Sequence, residues 1–177
     1  MKFNFSLILI AVCFLAGIIL GSVFAMTIAN GGDLEVFFSE MVSGAKDGVL
    51  QNSFWRVLLP NMIWPMLIIL FSFSSIGLAG IPACILIKSF LISYSVSAIY
   101  RSFGVNGIWL ALTSIGIPNA LYIPLLVIVS MLGLKAAGGA QVKKFSPAFH
   151  APMAGIFIGI AAFQAFLQPK IVTWLLK

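Results

Sequence analysis

Apolar residues run along this chain in long blocks, and the polar positions fall between them. A helix that crosses a bilayer needs about 20 predominantly apolar residues. Five blocks qualify: Phe5 to Ala29, Phe54 to Ser74, residues 81–100, Gly107 to Leu134 and residues 153–168. The stretch from Gly77 to Pro82 reads as a break before the third block. The closing PKIVTWLLK is too short to span and reads as an interfacial tail, with Trp174 at headgroup depth. The pattern predicts an all-α, polytopic membrane protein of about five transmembrane helices, forming one domain over residues 1–177.

Residues 33–49 follow a different pattern. The stretch DLEVFFSEMVSGAKDGV places Leu34, Phe37, Phe38, Met41, Val42 and Ala45 at helical spacing between charged positions. Asp33 is a suitable N-cap. This predicts one amphipathic interfacial helix, too polar to cross a membrane. Phe37 and Phe38 on its apolar side are candidates for contact with a partner outside the bilayer. A plain interfacial connector is the alternative.

Composition agrees with lipid as the solvent: 62% of residues are hydrophobic and 8% charged. Soluble domains carry about a quarter of charged residues. The formal net charge is +6, but the basic residues are scattered between apolar blocks and form no face for nucleic acid. At the ends of spans such charges meet lipid headgroups. No charge falls between Lys2 and Asp33, so the first block reads as an anchor rather than a cleaved leader. Lys2 and the basic stretch Lys135 to Lys144 favour a cytoplasmic N-terminus in the cell membrane. Cys13 and Cys84 lie in apolar blocks and lack metal-ligand spacing.

Small residues recur at helical spacing. Gly17 and Gly21, Gly155 and Gly159, and Ser89, Ser93 and Ser97 are each four apart. Such patterns let helix backbones approach closely in lipid. They serve either packing within one bundle or contact between subunits, so a homo-oligomer stays open.

Two apolar blocks contain the same unusual motif. Residues 60–65 read PNMIWP, and residues 118–124 read PNALYIP. Proline removes a backbone donor and kinks a helix. Buried asparagine needs hydrogen-bond partners. Repeated broken helices are the usual pointer to a transporter's site. The alternative is a pair of kinks whose freed carbonyls are partly met by Asn61 and Asn119. Lys88, in ACILIKSFLISY, is the one charge well inside a predicted span, at a cost of about 2.5–3.5 kcal/mol on insertion scales. It either snorkels to an interface or pairs with freed carbonyls or with a partner's acid. No carboxylate lies in a predicted span, the single His150 is in a connecting loop, and no phosphate-binding loop is present. The expectation is therefore no catalytic residue, no metal, no cofactor and no enzyme.

The segment GIPACILIKSFLISYSVSAIYRSFGVNGIWLALTSIGIPNALYIPLLVIVS, with FLAGIILGSVF and NSFWRVLLPNMIW upstream, resembles the stage II sporulation protein M family over about residues 12–177. Lys88, Asn61, Pro118 and Asn119 match that family's recurring polar positions. Ser89 stands where the family often has glycine. The resemblance implies a non-enzymatic membrane scaffold that holds peptidoglycan hydrolases for septal thinning and engulfment of the forespore. Members also occur in organisms that form no spores. The alternative from another class is a permease-like subunit driven by a separate ATPase.

Overall fold

The computed structural model describes residues 3–27 and 54–139, together with Gly155, Ile158, Gly159 and Ala162. The amphipathic stretch 33–49, with Phe37 and Phe38, lies outside the described residues, as does most of the block at 153–168. Among the described residues the chain is all-helical. Helix α1 spans Phe3–Thr27, α2 spans Phe54–Ser72, and α3 spans Gly77–Ala111. A π-helical turn at Leu112–Gly116 leads into α4, Ile117–Ala137. Three of these helices are long and apolar enough to cross a membrane: α1, α3 and α4. The shorter α2 carries an apolar run from Asn61 to Ser72.

Two reversals arrange the helices. The first is the turn at residues 73–76, where Gly77 N–H donates to Ser74 O at 2.9 Å. Helix α3 therefore starts at Gly77, and Pro82 lies within it rather than in a break. The break expected at 77–82 sits a few residues earlier because the serines at 74 and 75 make the turn. The second reversal lies inside α3 at Gly104, with φ 58° and ψ −139°. That conformation is open to glycine and strained for other residues. Beyond it the chain runs back. Ala98 and Ile99 pack with Ala111, and Phe103 and Ile115 close over them. Residues 77–103 and 105–137 thus form two long antiparallel arms.

Helix α1 lies parallel to the first arm of α3, because its successive residues meet successive residues there. A Cβ on Gly17 would collide with Ser89 Oγ and the Leu86 carbonyl oxygen. One on Gly21 would collide with the Phe90 carbonyl and lie 3.0 Å from Tyr94 N. The contact is then locked by polar and aromatic groups. Ser93 Oγ donates to Ile18 O at 2.7 Å. Phe24 meets Phe90 edge-on, with ring centroids 5.7 Å apart. Arg101 Nη1 donates to Ala25 O at 3.1 Å and Met26 O at 3.0 Å. These are C-terminal carbonyls of α1, where a cation also meets the negative end of the helix dipole. So the glycine pair of α1 serves packing within the chain. Gly155 and Gly159 differ, since a Cβ on either would meet nothing within 4 Å.

The core lies among α1, α2, α3 and α4, built on Ile10, Ile68, Ile81, Ile85, Leu126 and Leu134. Three buried or part-buried hydroxyls inside the helices turn back on their own backbone. Ser89 donates to Ile85 O at 2.9 Å, Thr113 to Trp109 O at 2.9 Å and Ser130 to Leu126 O at 2.8 Å. This suits a solvent that offers no acceptor. The outward faces are apolar, with Leu15, Ile19, Leu59, Met66 and Leu70 all exposed.

Gly17→Val places side-chain carbon against the backbone of α3. We expect a loss of about 1–3 kcal/mol, the usual range for overpacking, measured as an earlier thermal unfolding transition in detergent. Gly155→Val, where an added Cβ meets none of the described residues within 4 Å, leaves that transition in place.

Candidate functional site

The lysine and both proline–asparagine motifs come together. Lys88 lies eleven residues past Gly77, about 16 Å along the helix axis. Its ammonium does not extend toward a helix end. It lies over the Tyr122 ring, 5.0 Å from the centroid, and over the Trp64 ring, 5.8 Å from the centroid. Trp64 is the aromatic residue of the first motif and Tyr122 that of the second. They arrive from α2 and α4, which flank the first arm of α3.

Prolines explain why the two motifs meet. In an α-helix each N–H serves the carbonyl four residues back. Pro65 has no N–H, so the carbonyl of Asn61 loses its helical donor. In an apolar surrounding that carbonyl needs another. Tyr122 supplies it, its hydroxyl donating to Asn61 O at 2.8 Å. The hydrogen bond crosses from α4 to α2 and fixes the Tyr122 ring, which is 1% exposed. The same ring faces Lys88. One side chain therefore serves the freed carbonyl in α2 and presents a π face to the cation.

The second motif is handled locally. Pro118 also lacks a donor, and the turn before it widens to π geometry, with Ile117 N–H donating to Leu112 O. Asn119 Nδ2 donates to Ile115 O at 2.7 Å. So Asn119 does meet a backbone carbonyl near a proline. Asn61 takes part through its backbone oxygen as an acceptor. Pro118 and Asn119 stand on the turn leading to Tyr122 and do not touch Lys88. Asn119 instead lines an apolar cavity of about 490 Å³, with Met26, Val96, Tyr100, Leu112 and Ile123 around it.

The energies are comparable in size. A cation over an aromatic face gives about 0.5–1 kcal/mol when exposed and about 2 or more when desolvated. Two such contacts match the insertion cost of about 2.5–3.5 kcal/mol for a central lysine. Chemically the site is a caged cation on a rigid three-helix frame. Among the described residues no group of His, Cys, Asp or Glu is placed to hold a metal ion. Trp64 and Tyr122 belong to the site beside Lys88 and Asn61, although the sequence pattern singled out only the polar members. The available signal was an aromatic residue in the same slot of both motifs, in a chain with one cation inside its spans.

Tyr122→Phe removes the hydroxyl that donates to Asn61 O, at an expected loss of about 1–3 kcal/mol. Pro65→Ala restores a backbone N–H to that carbonyl. In the Pro65→Ala background the loss from Tyr122→Phe shrinks to less than half, measured as a double-mutant cycle in detergent unfolding.

No family model matches the chain, and neither does any curated protein or solved structure, so the role of the caged lysine is argued from its own chemistry.

Proposed function

We propose that the chain is a non-enzymatic membrane scaffold of the kind its resemblance to the stage II sporulation protein M family implies. It crosses the cell membrane five times with its N-terminus in the cytoplasm. It holds peptidoglycan-remodelling partners outside, for septal thinning and engulfment. The observation that carries the reading is how the one intramembrane cation is used. Lys88 is clamped between Trp64 and Tyr122 on helices that pack tightly, which suits a rigid platform better than a group that moves in a reaction. All four carboxylates fall at Asp33, Glu35, Glu40 and Asp47, in the stretch between the first two blocks. That stretch is the proposed docking surface, with Phe37 and Phe38 as its apolar contacts.

A second reading has its own observation. Two proline-containing helices converge on one lysine, and interrupted helices are where transporters place sites. A permease-like subunit working with a separate ATPase would use Lys88 to bind an anionic solute. Lys88→Met separates the two readings: loss of solute flux with assembly intact speaks for the permease.

For the scaffold, replacing Phe37 and Phe38 together with serine abolishes co-purification of peptidoglycan hydrolases from native membranes. The variant still inserts. Unchanged co-purification counts against the scaffold.

A further inference from the structure

Lys88 carries three N–H donors, and aromatic rings are poor acceptors for them. Both rings face the charge, yet among the described residues no hydrogen bond or ion pair joins the ammonium to an oxygen, and the residue is half-buried rather than sealed. The rings offset the charge and leave the donors open. We propose that Lys88 is the docking point for a carboxylate, an aspartate or glutamate carried on a membrane-spanning helix of another polypeptide. This deepens the scaffold reading and rests on it, by naming a contact inside the membrane.

Two other sources of the anion fit less well. The predicted spans of a second copy carry none, because the four carboxylates of this sequence fall at positions 33–47. A lipid phosphate sits at the headgroups, whereas Lys88 is about 16 Å along α3 from the nearer reversal. The surface beside it is lipid-like. Ile63 and Met66 flank Trp64 on α2, and Ile87 and Leu91 flank Lys88 on α3, all of them exposed. An anion that reaches the lysine across that face needs an apolar body, and a transmembrane helix supplies one. Charge complementarity then selects partners, since a carboxylate in lipid has few other places to find a cation.

The test uses synthetic transmembrane peptides, so it does not depend on knowing the partner. A labelled polyleucine helix with one central glutamate is reconstituted with the labelled, full-length protein in phosphatidylcholine vesicles at mildly alkaline pH. Energy transfer reports association. The glutamate peptide should associate at least about tenfold more tightly than the same peptide with glutamine or leucine at that position. Lys88→Met should remove the difference, and Lys88→Arg should keep most of it. Equal association of the three peptides with the unmodified chain overturns the proposal, whether or not Lys88→Met folds. So does a glutamate preference that survives in a folded Lys88→Met. Neither outcome bears on the Phe37 and Phe38 experiment, so the two ideas fail separately.

Discussion

In hydrocarbon every backbone N–H and C=O must find its partner inside the protein, and much of this structure follows from that requirement. Prolines break the rule by withholding a donor. Each one therefore marks a place where the fold needs a substitute. At Pro65 the substitute comes from another helix, as Tyr122 donates to Asn61 O at 2.8 Å. At Pro118 the preceding turn widens to π geometry, with Ile117 N–H donating to Leu112 O, and Asn119 Nδ2 adds a bond to Ile115 O. The first solution ties α2 to α4. The second keeps α4 self-sufficient. A single missing donor thus becomes a tertiary constraint, and the ring that replaces it becomes one wall of the lysine cage.

Close backbone approach provides the other half of the stability. Lipid gives helices no hydrophobic reason to associate, so contact area and polar bonds decide. Gly17 and Gly21 let α1 settle onto α3, and Ser93 and Arg101 then bond its backbone at Ile18, Ala25 and Met26. Arg101 also shows how the chain manages a cation near a helix end, by meeting carbonyls that have no helical donor. Lys88, deeper along α3, is met by rings instead. The two cations illustrate one rule at two positions along the same helix.

Much of the helical layout was legible in the sequence. The blocks at Phe5 and Phe54 correspond to helices whose ends fall within a few residues of the expected ones, while those at residue 81 and Gly107 lie in the two arms on either side of Gly104, where α3 runs on to Ala111 and α4 starts only at Ile117. The differences are local. Pro82 is absorbed into α3 because the reversal occurs at 73–76, and the second loop narrows to the single positive φ of Gly104. The cage was less legible. Periodicity shows which residues lie inside a span, but not which face meets which neighbour. Tyr122 and Asn61 are 61 positions apart in the chain, and only the folded bundle brings them together. Lys88 alone fitted snorkelling as well as pairing. The choice between those depended on two aromatic residues from other helices.

The central claim is that the Lys88 ammonium rests between Trp64 and Tyr122 within the apolar layer. The most direct measurement is NMR of the lysine-labelled protein in lipid nanodiscs, with Lys88 assigned by its loss in Lys88→Arg. The account predicts side-chain methylene resonances for Lys88 shifted upfield of the other seven lysines by ring currents, with cross-peaks to the Trp64 and Tyr122 ring protons. A Lys88 signal at the position of an exposed lysine, with cross-peaks to lipid headgroups and none to either ring, would contradict it.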